Sequence, residues 1–411
     1  MENPTENKTA LVNYQTLEHK INEWFLVDDP GIIRLVCATV IANRLPGDPV
    51  WLFLIAPPSG LKSELIRALS EVYGVYPLSS LTTHTLASGQ KRSANETSLL
   101  LKIKSGIISF KDFTSVLELY DSARQEILSQ LREVYDGHYA KTFGNGEEIK
   151  WTGKIGFIAG VTEAVDLYQG MYAILGERFV QYRMKQPDRK AATRRGMDNA
   201  SKIEAIRSEL IQLFRVYLDD VIALPKEAVS IPQDWFEEII ELSEFATRAR
   251  SGVKRDSRQR DITHVFAPEM PIRFAKQLTT LAQAFMVMGE SDGDRAILRK
   301  IAISSLPKNR IRVFGLLTKS PLSVQLAEAA IDEKLPDSEE EDSFEERSEW
   351  TNKNMAMALD LPTTTTTRIL QDLNALGFIT RKKVGKADTW VLKPEYLEFW
   401  TKYYPNDNVF I

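Results

Sequence analysis

The 411-residue chain contains a single cysteine, Cys37. That excludes an internal disulfide framework and a cysteine-rich zinc site. Its four histidines, His19, His84, His138 and His264, are scattered and suggest no metal cluster. A positive balance is also missing. The formal net charge is −4, so no global field draws nucleic acid, and any DNA contact must come from local basic patches. Apolar runs are short. The longest, such as Val50–Pro58, fall far below the ~20 residues that cross a bilayer. The N-terminal stretch is polar and has no basic-then-apolar signal pattern. No internal repeat is found. Together these absences predict a cytoplasmic protein with no membrane partner.

What is present fits a globular chain: 43% hydrophobic and 26% charged residues, enough for a sizeable core spread over two or three domains. Residues 1–14 read as a disordered lead, and 15–45 as two helices. The run WLFLIA (51–56) suits a buried parallel strand and leads into PPSGLKSELIRALSEVYG, a loop and a helix. SGIISFKDF (105–113), KIGFIAGV (154–161) and RFVQYRM (178–184) read as further strands, with a helix after the first. FGNGEEIKW (143–151) reads as a hairpin. Strands alternating with helices predict an α/β layer with a mostly parallel sheet. From about 198 to 300 apolar residues recur at three and four, a helical pattern. PDRKAATRR (187–195) reads as a solvated linker. Residues 334–349 are acidic and nearly free of apolar side chains, an exposed insertion. Residues 350–400 show two short helices joined by LDLP, then two strands joined by a basic GK turn. With a helix over 307–320 these form a winged helix-turn-helix, in which Thr363 or Thr364 caps the second helix.

The strongest chemical signal is APPSGLKS, Ala56 to Ser63. A Walker A loop has the form GxxxxGK[ST]; its backbone amides wrap phosphates, its lysine reaches the β and γ oxygens, and its hydroxyl binds Mg²⁺. Lys62 and Ser63 stand at the right places. The glycines depart: Ala56 replaces the first, Leu61 the last, and Gly60 lies one position early. Pro58, Ser59, Gly60, Leu61, Lys62, Ser63 and Glu64 are therefore the candidate ATP-binding residues. The plainer reading is a Pro-Gly turn with Lys62 opening a solvated face.

With that loop in place, the chain from about 30 to 400 resembles the ATPase module of the minichromosome-maintenance helicases. In particular it resembles the shorter MCM-like helicases of bacterial mobile elements and phages. In that family the loop reads GDPGxAKS, so Leu61 before the lysine is ordinary. IISFKDF resembles the Walker B strand. EVYDGHYAKTFGNGEEIKWTGKIGFIAG resembles the pre-sensor-1 hairpin and sensor-1 strand, LGERF the arginine-finger segment, and PIRFAKQLTTLAQAF the lid helix with the sensor-2 arginine. The family's large N-terminal DNA-binding collar has no counterpart before the loop.

The resemblance implies a P-loop AAA+ domain over 30–195 after a lead and helix at 1–29. A helical lid over 196–303 follows, then a winged helix over 304–402 with an acidic insertion at about 321–349. It implies catalytic roles for Asp112, Thr162, Arg178 and Arg273. Asp112 would hold Mg²⁺ with Ser63 or polarise water; Thr162 would orient that water, where the family prefers Asn. Arg178 would reach the phosphate of a neighbouring subunit, and Arg273 would sense it from the lid. The family's Asp-Glu is Lys111-Asp112 here, one acid fewer. Lys141, Lys150 and Lys154 are candidates to touch single-stranded DNA in a central channel. Arg368, Arg381, Lys382, Lys383 and Lys386 are candidates to meet DNA phosphates around the winged helix. Each lysine can equally be a solvated face, Phe143 and Trp151 can simply pack, and winged helices also bind proteins. The implied assembly is a homo-hexameric ATP-driven DNA helicase that works with replication partner proteins. The alternative is a DNA-binding regulator that uses ATP as an oligomerisation switch with weak or no hydrolysis. A P-loop kinase would leave the winged helix unexplained.

Overall fold

The computed structural model describes residues 13–29, 31–58, 61–88, 98–144, 146–168, 177–220, 229–256, 258, 260–320, 350–384 and 387–405. The described chain divides into two compact units. One holds the residues up to Tyr168, Glu177–Ile240 and Ile272–Ile301; the other holds Glu241–Pro271 and the residues from Ala302 onward. The helical stretch expected over 196–303 is thus shared between them. Among the described residues no helix is long and apolar enough to cross a membrane.

The first unit begins with α1 (Tyr14–Trp24) and α2 (Gly31–Arg44). α2 is buried at every position from Ile32 to Ala42, as expected of a helix whose apolar residues reach every face, with Arg34 and Thr39 the polar exceptions. Strand β1 (Trp51–Ile55) and helix α3 (Lys62–Ala68) follow. Then come β2 (Val75–Leu78), α4 (Leu99–Ile103), β3 (Gly106–Phe110), α5 (Thr114–Leu117) and α6 (Asp121–Tyr135). A hairpin of β4 (His138–Thr142) and β5 (Glu148–Thr152) leads to β6 (Ile155–Val161) and β7 (Phe179–Arg183). Five strands form one parallel sheet in the order β2-β3-β6-β1-β7. β1 and β6 are buried along their whole length. That explains their unbroken apolar sequences: helices cover both faces. Trp51, Phe53, Phe113, Phe157 and Phe179 make an aromatic layer, with Phe53 and Phe179 stacked at 3.7 Å.

Two local expectations need correction, and one strand carried no signal. The hairpin's first strand is HYAKT, and Phe143 and Gly144 follow it rather than forming it; Asn145 lies outside the described residues. β2 gave no usable periodic signal, because VYPL is a four-residue edge strand with Tyr76 and Pro77 exposed, and proline is tolerated only at such an edge. The basic run at 187–195 is not a linker. It opens α7 (Arg189–Asp198), capped by Asp188, whose Oδ1 accepts from the Ala191 amide at 2.8 Å. Helix α8 (Ile203–Asp220) follows.

α9 (Gln233–Ala249) runs on into the second unit, where β8 (Val253–Arg255) and β9 (Ile262–Val265) pair as a hairpin that the helical pattern did not announce. α10 (Ile272–Val287) belongs to the first unit, and α11 (Asp294–Ser304) starts there. The second unit continues with α12 (Lys308–Leu317), α13 (Asn352–Leu359), α14 (Thr363–Ala375), the antiparallel pair β10 (Ile379–Val384) and β11 (Ala387–Leu392), and α15 (Pro394–Tyr403). α13 is capped by Thr351 and ends on Asp360 in the left-handed conformation (φ 52°). Neither Thr363 nor Thr364 caps α14; Pro362 occupies that position and the threonines are already helical. Phe245, Phe314, Phe378, Phe399 and Trp400 build the unit's aromatic core. The acidic insertion at 321–349 lies outside the described residues.

Candidate functional site

The carboxyl ends of β1, β3 and β6 meet at one edge of the sheet, the place where open α/β folds hold ligands. Lys62 is the first residue of α3, yet it is buried, 4% exposed. Its Nζ donates to the carbonyls of Ala56 at 2.9 Å, just past β1, and of Val161 at 3.2 Å, the last residue of β6. Burial pushes its ammonium pKa down, and the charge of Asp112 opposes that shift. Gly160 makes the arrangement possible. A Cβ there would stand 2.6 Å from the Lys111 carbonyl and 3.4 Å from Lys62 Cδ, closer to that carbonyl than packing allows.

Asp112, just beyond β3, is exposed, and its Oδ1 accepts from the Thr114 amide at 3.0 Å. Thr162, just beyond β6, donates its amide to Thr114 Oγ1 at 3.0 Å, and the two hydroxyls lie 3.3 Å apart. Lys62, Asp112 and Thr162 are therefore gathered at adjacent strand ends. Thr114 joins them and was not foreseen, because its role depends on β3 and β6 being neighbours.

A cavity of about 770 Å³ opens beside this edge. Pro57, Pro58, Leu61, Ser63 and Glu64 line it, with the stretch Trp24–Asp29, residues of α7 including Arg195, and Asn199 at the end of α7. α7 and its C-cap are tied to the end of α1: Asn199 Nδ2 donates to the Trp24 carbonyl at 2.9 Å, and Arg195 Nη1 to that of Glu23 at 2.8 Å. Asp29 fixes the wall by accepting from Tyr182 Oη (2.7 Å), the Lys185 amide (3.0 Å) and Lys300 Nζ (2.5 Å). None of these wall residues stood out in the sequence, because none belongs to a contiguous motif. Ser59 and Gly60 lie outside the described residues. Glu64 is not available as a free carboxylate: Arg67 holds it at 2.9 and 3.0 Å, and Arg207 of α8 at 2.9 and 3.1 Å.

Arg178 and Arg273 sit elsewhere. Arg178 immediately precedes β7, whose Phe179 pairs with Trp51 at the start of β1. About 13 Å of strand, at ~3.3 Å per residue, separates that end of the sheet from the Lys62 end. Arg178 is 9% exposed, donates to Asp136 at 3.2 and 3.3 Å, and lies over the Tyr135 ring. Burial lowers its pKa first, and the nearby charge of Arg273 lowers it further. The two arginines are thus brought together, but away from the lysine of their own chain.

The hairpin lysines divide. Lys150 is exposed and pairs with Glu148 at 3.0 Å; Lys141 is half-buried against Glu126 and Phe143. Lys154 is turned inward, with Nζ donating to the Leu45 carbonyl at 2.6 Å and its pKa pushed by burial to about 8. In this placement its ammonium serves the fold. Trp151 packs inside with Nε1 on the Lys104 carbonyl. In the second unit Arg381 is exposed and pairs with Asp388 across β10 and β11. Lys382 and Lys383 are exposed beside it, Arg368 is half-buried on α14, and Lys386 lies outside the described residues.

Among the described residues no cluster of three or more acidic, histidine or cysteine side chains could hold a metal ion alone. Mg²⁺ at Ser63 and Asp112 would need phosphate and water to complete its shell, the usual pattern for that ion with nucleotides. No protein-family model matches the chain, and no curated protein matches it.

Proposed function

We propose that this chain is a ring-forming, ATP-dependent DNA helicase or translocase of the AAA+ type. It would be similar to the MCM-like helicases of mobile elements and phages and would act in the replication of such an element. The observation that carries the reading is the buried Lys62 ammonium seated between the carbonyl ends of two parallel strands, with Asp112 and Thr162 on the flanking strand ends. A lysine has little reason to occupy such a seat unless an anion arrives to take its hydrogen bonds, because burying an ammonium costs solvation that two carbonyls only partly return.

Lys62 would hold phosphate, Ser63 and Asp112 would hold Mg²⁺, and Thr162, oriented by Thr114, would align water. Bound Mg–ATP would supply the transferable phosphoryl group. The wall formed by Trp24–Asp29 and α7 would take the base. Arg178 and Arg273 lie too far from their own Lys62 to serve it. For Arg178 to act on a nucleotide held by a neighbouring copy, hence in a ring, it would have to leave Asp136 and the Tyr135 ring against which it is buried. The two helices and hairpin of the second unit support a winged helix that meets DNA through Arg368, Arg381, Lys382 and Lys383.

ATP turnover measured with and without single-stranded DNA tests the proposal. Strong stimulation that Lys62→Ala abolishes is expected; absence of any nucleotide affinity would sink it. One observation favours the second reading, an ATP-switched regulator. Lys111 stands where a second acid is expected, and Glu64, the acid lining the cavity nearest Ser63 in sequence, is occupied by two arginines. Tight ATP binding without turnover would select that reading.

A further inference from the structure

The β8–β9 hairpin was not foreseen and has no part in the site above. It is fastened to α14 by one side chain. Arg255, only 16% exposed, donates Nε and Nη2 to Asp372 Oδ1 at 3.2 and 2.6 Å. Its Nη1 donates to Gln371 Oε1 at 3.0 Å and its Nη2 to the Arg368 carbonyl at 3.1 Å. The same Nη1 donates back to the Arg260 carbonyl at 2.9 Å. One guanidinium therefore fixes both the hairpin's shape and its place along the C-terminal half of α14.

Two consequences follow for charge. α14 reads TTTTTRILQDLNA, with one cation and one acid. Its exposed N-terminal threonines can reach base edges but carry no charge to hold phosphates. Asp372 would repel a phosphate backbone, and Arg255, with Arg310 at 3.8 Å, neutralises it. Beyond Arg255 the hairpin displays Lys254, Arg258 and Arg260, all exposed, against Asp256 and Asp261.

Arg260 adds an independent sign. Its φ is 64°, the left-handed region in which a glycine would sit without steric cost and an arginine does not. The backbone there is set by the turn bonds Arg260 N–H to Asp256 O and Asp256 N–H to Asp261 O. Neither bond needs the arginine side chain. Keeping a long cation at such a position implies that its charge is used.

The geometry points to the β8–β9 hairpin as a second phosphate-contacting arm for duplex DNA. Through Lys254, Arg258 and Arg260 it would grip the backbone beside the groove that α14 enters. This rests on the DNA-binding reading of the second unit. Duplex DNA is the partner that fits, because a neutral helix of groove width flanked by cations matches a groove between phosphate rows.

The test uses the full chain and a short labelled duplex, followed by anisotropy across a salt series. A Lys254→Ala/Arg258→Ala/Arg260→Gly variant is compared with a Lys382→Ala/Lys383→Ala variant in the β10–β11 hairpin. Each lost phosphate contact lowers the slope of log affinity on log salt by about 0.9. The hairpin variant should therefore lose about two to three units of slope and bind at least ~10-fold more weakly at low salt. Arg260→Gly alone should lower the slope while leaving the thermal midpoint equal to or above that of wild type, which a merely structural role would not do. If the hairpin variant matches wild type while the Lys382/Lys383 variant weakens, this inference fails and the DNA reading stands. If wild type ignores duplex and instead binds an acidic polypeptide such as polyglutamate, both fail.

Discussion

Replacing Lys62 by methionine separates binding from folding. The side chain stays unbranched, becomes one atom shorter and loses its charge. Without nucleotide, the variant gives up two hydrogen bonds, to Ala56 at 2.9 Å and Val161 at 3.2 Å. Each contributes roughly 0.5–1.5 kcal/mol net. Against that loss, an ammonium whose pKa burial already depresses no longer has to be desolvated. The Val161 carbonyl also keeps the Ala56 amide at 3.2 Å. The nucleotide-free stability should therefore stay within about 1.5 kcal/mol of wild type by those magnitudes. Binding should not survive as well. A hydrogen bond from a charged donor is worth about 1.5–3 kcal/mol, roughly a 10- to 150-fold loss of affinity. At ATP near 100 times the wild-type dissociation constant, the ligand stabilises wild type by about 2.7 kcal/mol, and a ~50-fold weaker variant by about 0.6 kcal/mol. At about 2–4 °C per kcal/mol, thermal scans with and without Mg–ATP should show a shift of about 5–10 °C for wild type and about 1–3 °C for Lys62→Met. Equal shifts in the two proteins would refute the assignment. So would a nucleotide-free midpoint lowered by more than about 6 °C, since the lysine would then be part of the fold.

Two further outcomes follow from buried charges in the first unit. Arg34 on α2 and Asp294 on α11 form a bidentate pair, 8% and 0% exposed, in which Nη2 meets Oδ2 at 2.9 Å. Asp294→Asn leaves a buried guanidinium without its counter-charge and should cost about 3–5 kcal/mol in urea unfolding; a loss under about 1 kcal/mol would show the pair to be solvated. Lys154 has a folded-state pKa of about 8 against an ordinary 10.5. Between those values the folded protein has released a proton that the unfolded chain still holds, so stability rises with pH across that window. Discounted for partial exposure, the gain is about 1–2 kcal/mol. Wild type should gain on Lys154→Met between pH 7 and 10 in thermal scans, and parallel curves would contradict the inward placement of this side chain.

Much of the candidate site was legible because its parts are contiguous. Lys62-Ser63 follows WLFLIA after the five-residue turn PPSGL, and Asp112 and Thr162 each close an apolar run, so strand, turn and helix signals located them together. The limits of that legibility are equally specific. Lys141, Lys150 and Lys154 look alike in sequence, yet one pairs with Glu126, one stands in solvent and one is buried against Leu45. The run PDRKAATRR was dominated by its charges, which hid the Asp188 cap that starts α7.

By itself the sequence determined the parallel sheet, the strand-to-helix step that puts Lys62 at the start of α3, and the closing helix–helix–hairpin unit. Those features rest on apolar periodicity and turn chemistry, which act between near neighbours. Only the tertiary structure decided that Thr114 braces Thr162, that Arg178 and Arg273 share the end of the sheet remote from Lys62, and that Arg255 clamps a hairpin to α14 across 117 positions. Such contacts depend on strand order and helix docking, and packing between distant segments leaves no local periodic trace in the chain.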